Sequence, residues 1–313
     1  MASKIIKPKK LTKGSKIGII AVSNPLSKKH LEIIDKGCNK LKNMGFKVCL
    51  GKTIREHKEI TAGTAKERAE DFMEMIKNKS ISAIFFAWGG ENGSQILPFL
   101  NFDEIKKNPK IIMGHSDPTV ILNPVFDKCN LITFYGHLAS SFDPNWEWFS
   151  EYDEKTFYDV LINPKETYSL PPSDNREVYR EGICEGRLIG GCITDLVKLF
   201  GTPYQPNFES KVLFLESYVL KPQELLAHLT HLKQAGVFNQ IKGLILGNFL
   251  VDDSKHKVDL KQLFLDELSE FKFPILKTKD FGHNSHMAPL PIGGLVRLNA
   301  TQKQITFKEK NVI

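Results

Sequence analysis

Apolar and polar positions along the first half of the chain follow two rhythms. Short, nearly unbroken apolar runs, such as Lys16–Ser23 and Ile81–Ala87, predict strands buried on both faces of a sheet. Between them apolar residues recur at helical spacing. Leu31, Ile34, Cys38 and Leu41 share one face of a segment from Ser27 to Met44, and Gly45 suits its C-terminal cap. Phe46–Leu50 predicts another strand, and Thr64 with Glu67 has the spacing of a capping box ahead of Ala69, Phe72, Met73 and Ile76. Ile111–Met113, Val120–Phe126 and Leu131–Tyr135 continue as strand, helix and strand. Such alternation predicts a parallel sheet with helices on both faces.

Residues 143–180 break the rhythm with an aromatic, proline-punctuated stretch that reads as loop and linker. Beyond it, Gly182–Leu188, Lys211–Glu216 and Ile241–Gly247 predict strands, and Ile193–Phe200 a short amphipathic helix. Pro222 suits the first turn of a helix running to Gln234, with Leu225, Leu226, Leu229 and Leu232 apolar. Leu295–Asn299 and Gln304–Phe307 predict a closing hairpin. The expected organisation is an N-terminal parallel-sheet α/β domain over 1–165, a linker over 166–180 and a C-terminal mixed α/β domain over 181–313.

Composition narrows the function classes. A chain of 313 residues with 41% hydrophobic content can build two cores. The net charge of +7 is spread along the chain, with a dense basic run only at Lys4–Lys16, so no nucleic-acid partner is expected. The five cysteines form no C-x-x-C pair and read as thiols of a reducing compartment. No apolar stretch nears the roughly 20 residues of a membrane span, and the N-terminus lacks a signal-peptide core. A cytoplasmic protein without membrane partner is expected.

Several residues carry possible chemistry. In Lys110-Ile-Ile-Met-Gly-His-Ser-Asp-Pro-Thr119 a serine follows a buried strand and precedes a helix. That is how several hydrolases expose a nucleophilic oxygen, although a Ser-Asp pair at such a place also serves as a helix cap. Glu216 ends the most apolar strand, either as a surface residue or as an acid at the carboxyl end of a sheet, where α/β sites gather. His283 lies in a glycine- and proline-rich loop and suits acid–base work, with His286 competing for the role. No carboxylate or cysteine near these two histidines completes a metal site, and no cofactor motif is present, so neither metal nor cofactor is expected. The loop Trp88-Gly-Gly-Glu-Asn-Gly-Ser94 lacks phosphate-binding spacing; its backbone amides suit an oxyanion better. Gly89 and Asn92 there, with Trp146 and Trp148, are candidate substrate contacts, the tryptophans by stacking on a nucleobase or by hydrophobic packing.

Taken together, these segments resemble the S66 family of serine peptidases, the LD-carboxypeptidases and their microcin-immunity relatives. The likeness spans nearly the whole chain. It runs through Gly-His-Ser-Asp-Pro-Thr119, Trp88-Gly-Gly-Glu-Asn-Gly-Ser, Gly190-Gly191 with Gly201-Thr202-Pro-Tyr, Leu213-Phe-Leu-Glu216 and Phe281-Gly-His283. The resemblance implies a two-domain α/β fold with the site between the domains, commonly dimeric. It implies Ser116 as nucleophile, His283 as general base and acid, Glu216 as the orienting carboxylate, and an oxyanion hole from the amides of Gly90 and Asp117. Two departures are His115 and Pro118, which stand where an aromatic and an aliphatic residue are usual. The implied substrate is a small peptide, with the L,D-bond of a muropeptide cleaved, or an aminoacyl nucleotide. Leu215-Glu-Ser-Tyr-Val-Leu-Lys-Pro222 and Thr133-Phe-Tyr-Gly136 are similar to the immunity branch. A non-catalytic binding protein of the same fold is the alternative, and an α/β-hydrolase esterase is disfavoured by the missing G-x-S-x-G turn.

Overall fold

Five of the apolar runs pair in parallel: β1 (Lys16–Ile20), β2 (Lys47–Leu50), β3 (Ala83–Phe86), β4 (Ile111–Gly114) and β5 (Thr133–Tyr135). The structure is a computed structural model and describes residues 4–56, 58–145, 149–252, 254 and 257–313. Helices α1 (Lys28–Asn43), α2 (Ala65–Lys77), α3 (Phe102–Lys107) and α4 (Thr119–Cys129) make the crossovers. β3 and β4 are buried at every position, as a strand covered on both faces requires. The capping box at Thr64 forms as its spacing predicts, with Glu67 N–H on Thr64 Oγ1 and Thr64 N–H on Glu67 Oε2.

The region 143–180 is more structured than its composition suggests. Ser150 caps α5 (Glu151–Phe157), and β6 (Tyr168–Ser169) and β7 (Glu177–Arg180) form the two edges of a second sheet. That sheet has eight strands in the order β6-β14-β13-β8-β9-β10-β11-β7. Its centre is β8 (Ile183–Cys192), β9 (Lys211–Leu220), β10 (Gly243–Val251) and β11 (Ile275–Lys277), paired in parallel with one another. The hairpin β13 (Leu295–Asn299) and β14 (Gln304–Phe307) lies antiparallel beside β8. Helices α6 (Ile193–Leu196), α7 (Pro222–Gln234), α8 (Val237–Gln240) and α9 (Leu260–Glu267) complete this half.

The chain is thus a mixed α/β protein of two domains, one sheet rich in parallel strands and one mixed. The two halves are stitched together near the C-terminus. β12 (Leu290–Ile292) leaves the second half and pairs antiparallel with β5 at the edge of the first sheet. An edge position tolerates Pro291, which has no N–H to donate. The loop that precedes β12 brings the His283 ring to 5.2 Å from that of His115, the residue that follows β4.

Candidate active site

Ser116 sits where β4 ends and α4 is about to begin, in the left-handed region at φ 64°. A non-glycine residue there is strained by about 1–2 kcal/mol and must be held. Two hydrogen bonds hold it: its carbonyl accepts the Thr119 N–H at 2.8 Å, and its N–H donates to Tyr135 Oη at 3.2 Å. Gly89 packs against it so closely that a Cβ there would lie 3.1 Å from Ser116 Oγ.

Tyr135 connects the serine turn to the second domain. Its hydroxyl donates to Glu216 Oε1 at 2.5 Å, and the ring is fully buried. Burial, and then the neighbouring Glu216 charge, push the phenol well above its usual range, so it stays a neutral donor. The other carboxylate oxygen of Glu216 lies 2.8 Å from His283 Nδ1 and accepts the His283 N–H at 2.8 Å. Glu216 does not end its strand as expected; β9 runs on to Leu220, and the carboxylate is buried within it. Burial alone would raise its pKa, but the His283 charge and the hydrogen bonds from His283 and Tyr135 outweigh it and hold the carboxylate below its ordinary range. Burial likewise opposes the His283 charge, and the charge and hydrogen bond of Glu216 reverse this and raise its pKa.

Asn248 Nδ2 donates to the His283 carbonyl at 2.8 Å and fixes the loop from a third side. His286 is turned away from Glu216. Its Nδ1 lies 3.4 Å from the buried Asp153 Oδ2 on α5, and Asp153 Oδ1 accepts the Met287 N–H at 2.5 Å. His115 stacks edge-on against His283 with centroids 5.2 Å apart; burial first, then the His283 charge, lower its pKa to about 3.

A cavity of about 450 Å³ opens onto these groups and is lined by Gly89, Gly90, His115, Ser116, Tyr218 and His283, among others. The volume suits one small ligand. Gly90 has φ 145°, and a Cβ there would fall 2.3 Å from Ser23 Oγ. Ser23 Oγ accepts the Asn92 N–H, Asn24 Oδ1 accepts from Glu91 N–H and Asn92 Nδ2, and the fully buried Arg68 donates to Val22 O and Asn92 O. Asn92 Nδ2 thus bonds Asn24, and Asn92 is not among the residues that line this cavity. The Asp117 side chain is buried, with Oδ2 accepting the Gly93 N–H at 2.7 Å. Trp146 and Trp148 lie outside the described residues. Among the described residues no group of three or more His, Cys, Asp or Glu is arranged to hold a metal ion, and no helix is long and apolar enough to cross a membrane.

Both halves of the chain match known proteins. Residues 17–136 match the N-terminal domain of the LD-carboxypeptidases, and residues 185–298 match their C-terminal domain. The chain belongs to the S66 peptidase family. One S66 relative is the microcin C7 self-immunity protein MccF of Escherichia coli, 31% identical over 96% of this chain and 95% of the relative. Another is a probable murein peptide carboxypeptidase of Bacillus subtilis (strain 168), 29% identical over 95% and 92%. The structure of MccF in complex with glutamyl sulfamoyl guanosine superposes with a TM-score of 0.92 at 28% identity, covering 98% of this chain and 99% of that one. A muramoyltetrapeptide carboxypeptidase from Oxalobacter formigenes shares the fold, with a TM-score of 0.80 at 24% identity over 93% and 97%.

Proposed function

We propose that this S66 member hydrolyses an amide bond through an acyl-enzyme on Ser116. His283 takes the hydroxyl proton as Ser116 Oγ bonds to the substrate carbonyl carbon. The C–N bond then breaks, and His283 returns that proton to the leaving amine. Water attacks the acyl-enzyme, giving its proton to His283, which passes it to the departing Ser116 oxygen. Glu216 holds the proton on Nδ1 and leaves Nε2 free for this traffic. The amides of Gly90 and Asp117 receive the oxyanion, each donor lowering the barrier by about 2.7–4 kcal/mol. The observation that carries this reading is the 2.8 Å contact of His283 Nδ1 with the buried Glu216, at a cavity that Ser116 also lines.

The substrate reading we favour is a small aminoacyl nucleotide rather than a muropeptide. Its support is the likeness to MccF, in identity and in a TM-score of 0.92 to a form holding an aminoacyl-nucleotide analogue. The likeness to the B. subtilis murein peptide carboxypeptidase keeps the L,D-peptide bond as the second reading.

A fluorophosphonate label followed by peptide mass spectrometry tests the mechanism. Modification at Ser116 in the folded wild type, abolished in Ser116→Ala, is expected. Absence of modification, or full turnover by Ser116→Ala, refutes it. Side-by-side hydrolysis of an amide-linked aminoacyl nucleotide and a muropeptide tetrapeptide decides the substrate; preference for the tetrapeptide overturns the favoured class.

A further inference from the structure

Lys198 reaches from the second domain into the loops around Ser116. It stands in the short helical turn Val197–Leu199 that follows α6. Its Nζ lies 2.6 Å from Asp195 Oδ1, donates to the Glu91 carbonyl at 3.1 Å, and lies 3.7 Å from Asp117 Oδ1. Asp117 and Asp195 are both buried. Asp117 Oδ1 has no hydrogen-bond partner among the described residues, so the Lys198 ammonium compensates that oxygen from 3.7 Å. Two buried carboxylates sharing one cation leave it little freedom to move, because each would otherwise be uncompensated. Burial and the Asp117 charge raise Asp195 to about 6 even with Lys198 opposing them.

The three partners of Lys198 belong to different segments. Asp117 follows the serine, Glu91 follows Gly90, and Asp195 lies on α6 behind β8. We propose that Lys198 is a positioning residue, a cation from one domain that locks the Ser116–Asp117 turn and the Gly89–Gly93 loop of the other at the spacing an oxyanion requires. The inference rests on the acyl-enzyme reading above. It gives the domain interface a chemical role, since the two amide donors sit on separate loops and Lys198 reaches one loop at the Glu91 carbonyl and the other at the Asp117 carboxylate.

The test compares wild type, Lys198→Met, Lys198→Arg and Lys198→Met/Asp195→Asn by Ser116 labelling rate, by kcat and KM, and by Tm. Lys198→Met is expected to lower kcat and labelling by roughly 10- to 100-fold, part of the loss that follows removal of a whole oxyanion donor. KM is expected to stay near the wild-type value, and Lys198→Arg to recover much of the rate because it keeps the charge. The double variant removes the Asp195 charge but still leaves Asp117 without its cation, and is expected to regain part of the lost Tm but not kcat. A merely structural lysine would give back both together, and that result overturns the proposal. If Lys198→Met alone does not fold, the double variant decides. Equal labelling of wild type and folded Lys198→Met overturns this inference only; an unlabelled wild type removes the acyl-enzyme reading, and this inference with it.

Discussion

Tyr135→Phe is the sharpest probe of how the serine turn is held. The substitution removes one oxygen from a fully buried ring and leaves the packing volume nearly unchanged. Two hydrogen bonds vanish: the 2.5 Å bond to Glu216 and the 3.2 Å bond from Ser116 N–H. A bond to a charged group contributes about 1.5–3 kcal/mol and a neutral one about 0.5–1.5, so a loss of roughly 2–4 kcal/mol is expected. With an unfolding entropy of about 2 cal/mol/K per residue over 313 residues, Tm falls by roughly 3–6 °C. The pH dependence carries a sign. Glu216 is held below its ordinary pKa, so its contribution is present above that ordinary value and is lost as pH falls through the folded one. The gap between wild type and variant should therefore narrow in acid. Releasing the strained Ser116 should also slow fluorophosphonate labelling by roughly three- to tenfold, the equivalent of one neutral hydrogen bond. Thermal melts from pH 8 down to about 3, a range that passes below the ordinary carboxylate value, and labelling kinetics measure both effects. A variant with wild-type Tm and labelling rate refutes the reasoning.

Four further outcomes are expected. The acid limb of kcat/KM should lie above the ordinary histidine value of 6.5, because His283 must be neutral to accept a proton and its pKa is raised; Glu216→Gln should move that limb to lower pH, and an unmoved limb counts against the pairing. The stability from the same pair is present below the unfolded histidine pKa and is lost as pH rises through the folded one, which melts of Glu216→Gln against wild type would show. Gly90→Ala brings a Cβ to 2.3 Å from Ser23 Oγ at a φ of 145°, and should lose about 1–3 kcal/mol together with most Ser116 labelling. Asp153→Ala strips the acceptor from Met287 N–H and Ser150 Oγ and should lower kcat more than KM by loosening the His283 loop, whereas the half-buried His286→Ala should be milder.

Local patterns were legible in the chain wherever neighbours in sequence decide the structure. The helix Pro222–Gln234 and the hairpin strands 295–299 and 304–307 appear where periodicity and turn residues put them. The helix α5 was missed inside an aromatic, proline-rich stretch, although its signal was present: Ser150 and Asp153 stand at the same capping-box spacing as Thr64 and Glu67. The full length of β9 was missed because Tyr218 and Val219 are exposed, so the apolar run stops before the hydrogen-bonded strand does.

What the sequence cannot carry is the choice of partner for a buried polar group. Tyr135 reads as one more apolar position in Thr133–Tyr135, and only folding brings its hydroxyl to a carboxylate 81 residues away. Asp153 and Lys198 are hidden for the same reason: nothing near either in sequence announces Met287 or Glu91 as its partner. These contacts also change how Ser116 is read. From its own segment a helix cap is the commoner explanation of the residue, but among the described residues its side chain caps no helix, and the N-cap position belongs to Pro118. A cap would need only α4. A serine held at φ 64° by a tyrosine that also grips Glu216, beside a glycine whose Cβ would crowd it at 3.1 Å, has a conformation that the rest of the fold maintains at a cost. Strain maintained from three separate segments is hard to explain by capping, and it is what an exposed nucleophile requires.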